Sequence, residues 1–98
     1  MIKQAPVKSG TAVKVSFVLA TDAVAGKVSV VGDFNGWDPF AHPLQPRRNG
    51  TRSAVVTLPP ECRFAFRYLA EGGRWHDEET AEVFEPNDLG GHNAVLHT

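Results

Sequence analysis

Cysteine is almost missing from this chain of 98 residues. Cys62 stands alone, so no intrachain disulfide can form and no cysteine cluster can hold a metal. The four histidines, His42, His76, His92 and His97, have no ligand spacing that would replace it, so no metal and no cofactor is expected. An excess of one charge is missing too. Ten Lys and Arg face eleven Asp and Glu, and the net charge of -1 leaves no footprint for nucleic acid or an anionic lipid surface. A neutral partner fits best. No apolar run is long enough to cross a bilayer, and the opening Met1-Ile2-Lys3-Gln4-Ala5-Pro6 lacks the hydrophobic stretch of a signal peptide. With reduced cysteine as the default, the expected compartment is the cytoplasm. A helical period is the last absence: no 3.6-residue repeat of apolar positions persists over about ten residues, and no segment repeats another.

What is present is the period of two. Val13, Val15, Phe17 and Leu19 are apolar while Lys14 and Ser16 alternate with them. Residues 28–31 are almost wholly apolar, which predicts a strand central in its sheet. Two prolines, Pro39 and Pro43, then forbid a regular ladder, and a loop descends to a short edge strand near Leu44. Asn49-Gly50 reads as a hairpin turn before a strand over residues 53–58, which Pro59-Pro60 ends. The clearest alternation is Phe64, Phe66 and Tyr68 on one face against Ala65, Arg67 and Leu69 on the other. Shorter strands follow from Trp75, from Ala81 and from His92. The sum is one domain over residues 11–98 after a flexible lead-in over residues 1–10. Its expected fold is an all-β, immunoglobulin-like sandwich of about seven short antiparallel strands, large enough to fold unaided.

Two tryptophans carry the functional signal. Residues 28–37 read V-S-V-V-G-D-F-N-G-W, a strand ending in a turn. Asn35-Gly36 is the dipeptide best suited to positive φ at both turn centres, which would place Trp37 beyond the strand end and near solvent. Trp75 follows a second turn, Glu71-Gly72-Gly73-Arg74. Loops on a rigid β scaffold are where binding residues usually lie.

These residues resemble a known family. Gly32-Asp33-Phe34-Asn35-Gly36-Trp37 is similar to the "G-x-F-N-x-W" signature of the isoamylase N-terminal (early set) domains. That group includes carbohydrate-binding module family 48 and the glycogen-binding domain of the AMP-activated protein kinase β subunit. Leu58-Pro59-Pro60 with Phe64-Ala65-Phe66-Arg67-Tyr68 resembles its "L-P-x-G-x-Y-x-Y-K-F" strand, and Gly72-Gly73-Arg74-Trp75 its "D-G-x-W" turn. Residues 86–95, P-N-D-L-G-G-H-N-A-V, are similar to the closing "P-N-x-(F/L)-G-G-x-N-x-V". The resemblance implies a non-catalytic module that binds α-1,4-glucans such as glycogen, starch or malto-oligosaccharides. It implies Trp37 and Trp75 as stacking platforms, Arg67 at the family's lysine, Leu89 at its sugar-contacting leucine, and Asn93 at its terminal asparagine. Two departures stand out: a threonine of the animal kinase-type domains falls on Gly91, and the turn before Trp75 is one residue longer.

Catalysis finds little support. Glycoside hydrolysis needs two carboxyl groups held about 5 to 10 Å apart across a cleft. Asp77, Glu78 and Glu79 are adjacent instead, and read as solvated. Cys62 has no evident base or helix terminus to form a thiolate and reads as a filler. The alternative to sugar binding is a protein interaction module that keeps the fold, with a glycan-active enzyme or a kinase as partner. The two differ in one respect: the indoles form an open groove in the first, and a flat patch with Phe40 and Leu44 in the second.

Overall fold

The computed structural model describes residues 1–7, 10–81, 83–87 and 91–98. Among these, two antiparallel sheets face each other as an immunoglobulin-like sandwich. Nine strands form it: β1 (Ile2–Pro6), β2 (Val13–Ala20), β3 (Val28–Gly32), β4 (Gln45–Pro46), β5 (Thr51–Leu58), β6 (Arg63–Ala70), β7 (Arg74–His76), β8 (Val83–Pro86) and β9 (His92–His97). About seven were expected, and the surplus lies in edge pieces. One sheet runs β1-β2-β5-β4, the other β3-β6-β9-β8, with β7 also paired to β6.

The inward faces are those the alternation marks. Val13, Val15, Phe17 and Leu19 of β2 and Ala54, Val56 and Leu58 of β5 are buried against Val30, Phe66 and Tyr68 of the opposite sheet. Phe17 lies edge-on to Phe66 with centroids 5.0 Å apart. Such ring pairs add about 0.5–1.5 kcal/mol beyond the area they bury. Inward residues of β6 fill the core, so Ala65, Arg67 and Leu69 point out of the sandwich.

Two expectations about the frame are corrected. Residues 2–6, read as part of a loose lead-in, form β1, in register with β2 from Ile2–Phe17 to Pro6–Val13. A polar segment without an apolar period still makes an edge strand, because the backbone ladder needs no side-chain pattern. Nor is β3 central. Among the described residues β6 is its one strand neighbour, and its other edge is covered by the proline-containing loop: Val30 N–H donates to His42 O at 3.1 Å, and Leu44 N–H to Val28 O at 2.9 Å. That cover accounts for a largely apolar strand at a sheet end. The central position belongs to β6, which carries β3 along one edge and β9 and β7 in succession along the other.

Candidate functional site

The turn after β3 is built from contacts that each residue of its motif supplies. Gly32 is extended at φ -175, and its need for glycine is steric. A Cβ there would sit 2.5 Å from Ala65 O and 2.7 Å from Phe66 Cβ, so only glycine lets the turn close on β6. Phe34 anchors it from below, stacked on Phe17 at 5.4 Å and edge-on to Phe64 at 6.0 Å. Asn35 ties the turn to itself: Oδ1 accepts from Gly32 N–H at 3.1 Å, and Nδ2 donates to Val30 O at 3.1 Å and to His42 Nδ1 at 2.9 Å.

Asp33–Asn35 consequently forms one 3-10 turn, and the positive φ values fall one residue later than expected, on Gly36 (65°) and Trp37 (59°). Asn35 stays out of the left-handed region because its side chain is held from three sides. For Trp37 that region carries a strain of roughly 1–2 kcal/mol, and such strain gathers at functional sites. The indole is held in turn. Trp37 Nε1–H donates to Asp33 Oδ1 at 3.1 Å, while Asp33 Oδ2 accepts from Ala65 N–H at 2.8 Å.

Trp75 arrives from the other side. β7 pairs with β6 so that Trp75 lies opposite Leu69, on the same outward face as Arg67. The ring is 43% exposed. The Arg67 guanidinium lies over it, 5.0 Å from the ring centroid, and Arg67 Nε donates to Asp77 Oδ1 at 2.9 Å. Arg67 is therefore clamped between an aromatic face and a carboxylate, a geometry that a planar guanidinium suits and an ammonium does not.

Trp37, Trp75, Arg67 and Asn93 line one groove of about 440 Å3 on this outer face, with Asp33, Ala65, Glu85 and Asn87 completing it. Four of the five residues singled out from the sequence thus come together. The fifth, Leu89, lies outside the described residues, as do Lys8, Ser9, Glu82, Asp88 and Gly90. Asn93 Oδ1 accepts from Asn87 Nδ2 at 3.2 Å, and Asn87 closes the preceding turn, its Oδ1 accepting from Gly91 N–H at 3.0 Å. Sequence reasoning passed over Asp33, Glu85 and Asn87. Asn87 had a signal, as the asparagine of the closing "P-N" motif. Asp33 had a weaker one, a hydrogen-bonding side chain four residues before a turn-borne tryptophan.

The flat patch does not form. Leu44 is buried in the core, and Phe40 lines a different groove. The carboxylates require one correction. Asp77 and Glu79 are exposed as expected, but Glu78 is only 1% exposed. It accepts from Tyr68 OH at 2.8 Å, from Thr80 N–H at 3.0 Å and Oγ1 at 2.9 Å, and from the Met1 ammonium at 2.6 Å. A carboxylate so supplied with donors is stable in the interior where a bare one is not. Burial pushes its pKa up, yet the bonds from the ammonium, Thr80 and Tyr68 outweigh burial and hold it below the usual carboxylate range. Burial in turn raises the Tyr68 phenol, and the charge of Glu78 adds to that.

Comparison with known sequences decides the family. The profile of carbohydrate-binding module 48 (isoamylase N-terminal domain) matches residues 10–86, most of the chain. The chain belongs to this family. It is a carbohydrate-binding module by descent, as the four motifs anticipated. Among curated proteins it is similar to the 1,4-alpha-glucan branching enzyme of Deinococcus radiodurans, 46% identical over 55 residues, which is 55% of this chain and 8% of that enzyme. A second branching enzyme, from Xanthomonas campestris, is 37% identical over 51 residues, 51% of this chain and 7% of the enzyme. That of Cupriavidus pinatubonensis is 34% identical over 67 residues, 63% of this chain and 8% of the enzyme. The chain spans less than a tenth of these relatives.

Proposed function

We propose that this domain is a non-catalytic module that binds α-1,4-glucan chains in the groove between Trp37 and Trp75. The observation that carries the reading is the meeting of two indoles, one from the turn after β3 and one from β7, in one groove with Arg67 and Asn93. A pyranose ring offers a face of C–H groups rimmed by hydroxyls, so its receptor needs flat rings and a few fixed polar groups. Indole faces supply the first, each partly buried ring contributing about 1 to 3 kcal/mol. Arg67 covers one face of Trp75, which leaves the other for sugar, and its terminal nitrogens donate to hydroxyls. The Asn93 amide both donates and accepts. The names of the relatives, branching enzymes of 1,4-alpha-glucan, support the choice of polymer.

Few contacts and a shallow site place Kd on the order of tens of micromolar to millimolar, or about 4 to 6 kcal/mol. The test is titration with maltoheptaose and β-cyclodextrin beside cellohexaose, followed by Trp fluorescence and amide shifts, on the wild type and on Trp37→Ala and Trp75→Ala. Saturable, α-glucan-selective changes lost in both variants are expected. Silence of the wild type at millimolar sugar would sink the reading and turn attention to a protein partner.

A further inference from the structure

A second groove of about 500 Å3 opens on the same outer face. It has no lining residue in common with the first, but the two draw on one strand and one loop. Its floor is again β6: Leu69 stands two residues beyond Arg67, hence on the same face, with Ser29 of β3 paired to it. Its wall is again the loop after the 3-10 turn, for Trp37 lines the first groove and Phe40, three residues on, lines the second. Trp75, opposite Leu69, stands at the junction.

Phe40 is 87% exposed, yet its backbone is pinned: Phe40 N–H donates to Asp38 Oδ1 at 2.9 Å. A large apolar ring held out on a fixed turn is a platform waiting for a face to cover it. Its place beside the first groove favours sugar over protein. The far rim is Gly72 and Gly73, where an added Cβ would meet nothing within 4 Å, so the ring of apolar neighbours that dries a protein hot spot is missing there. Lys27, Ser29 and Glu71 put hydrogen-bonding groups at the margin of an apolar floor and wall of Leu69, Ala70, Pro39 and Pro43.

We propose that this second groove is a further glucose subsite, with Phe40 as its stacking platform, that carries an α-1,4-glucan onward past Trp75. The inference rests on the sugar reading of the first groove. A polymer must leave a short groove at its ends, and this is the neighbouring concavity that shares both floor and wall. The test compares maltotriose with maltoheptaose on wild type and on Phe40→Ala, by calorimetry and amide shifts. The wild type should bind the longer sugar about three- to tenfold more tightly, as burial of one more ring face implies. Phe40→Ala should remove most of that ratio, and Phe40→Trp should keep it. Gly72, Gly73 and Ser29 amides should shift with maltoheptaose and stay still with maltotriose. Equal ratios in wild type and Phe40→Ala, with those amides unmoved, would overturn the second subsite while leaving the first intact. Failure of both sugars to bind the wild type would instead defeat the reading on which it rests.

Discussion

Asp33 is the residue whose removal separates holding an indole from stacking on it. Its two carboxylate oxygens accept from Trp37 Nε1–H at 3.1 Å and from Ala65 N–H at 2.8 Å. Asp33→Asn keeps the shape but replaces one acceptor with a donor, so one of those two N–H groups must face an NH2. A hydrogen bond to a charged acceptor contributes about 1.5–3 kcal/mol. Asp33 is exposed, so water takes up part of the loss and about 1 kcal/mol is expected for stability. In a domain of this size that lowers Tm by about 4–8 °C. Loosening of the Trp37 ring should weaken maltoheptaose binding about three- to tenfold, against a larger loss in Trp37→Ala. The assay is thermal unfolding beside a fluorescence titration, with Trp37→Phe and the double variant completing a cycle. Trp37→Phe removes the indole N–H, so the two changes should be non-additive by about 0.5 kcal/mol or more. A variant with wild-type Tm and Kd, or a strictly additive cycle, would refute the orienting role.

Other outcomes follow from the same contacts. Gly32→Ala would drive a Cβ to 2.5 Å from Ala65 O, which belongs to the rigid β6 backbone; a loss of about 1–3 kcal/mol or more is expected by urea unfolding. Gly91→Thr should be tolerated within about 1 kcal/mol, because the nearest atoms to its Cβ would be Asn87 Nδ2 at 3.4 Å, Arg67 Nη1 at 3.5 Å and Asn87 Oδ1 at 3.8 Å, all ends of side chains. The added hydroxyl should tighten sugar binding, as measured by calorimetry. Glu78 has a folded pKa below the ordinary range, so its stabilisation is fully present above the unfolded glutamate value of about 4.3. It is lost as pH falls through the folded value, where the unfolded chain binds the proton more readily. Urea midpoints between pH 7 and pH 3 should therefore fall, and Glu78→Gln should flatten that dependence while lowering stability at pH 7.

Legibility in the sequence follows the range of the interaction. The sandwich was readable because its signal is local: β2 and β5 carry apolar residues at every second position, and those residues are the buried ones, with Val18 and Val55 as the outward exceptions. The meeting of Trp37, Trp75, Arg67 and Asn93 was readable through motif resemblance, since no spacing rule brings residues 37 and 75 into one groove. What stayed hidden depends on partners far along the chain. β1 is a strand because β2 offers an edge, not because residues 2–6 alternate. Glu78 looks like the middle of a solvated acidic run until Tyr68, ten residues back, donates to it from the core. Position of a strand in its sheet was also beyond pattern: the three valines of residues 28–31 stand in a strand whose edge residues 42–44 fold over.

The same contacts bear on how a shallow site could bind at all. Each groove residue is already committed within the protein: Trp37 to Asp33, Arg67 to Trp75 and Asp77, Asn93 to Asn87. Ordering a free, rotamer-rich side chain on binding costs about 0.5–1.5 kcal/mol. Four such side chains left loose would consume much of the few kcal/mol that two indole faces contribute. Held beforehand, they leave most of it for affinity. The departure from the family's lysine fits this logic, because a lysine at position 67 would donate to Asp77 or lie over Trp75 without the planar fork that does both together. Arg67→Lys should therefore weaken binding more than it weakens folding, with Kd rising severalfold while the urea midpoint moves little. An equal fall in both would mean that Arg67 serves the sheet rather than the sugar.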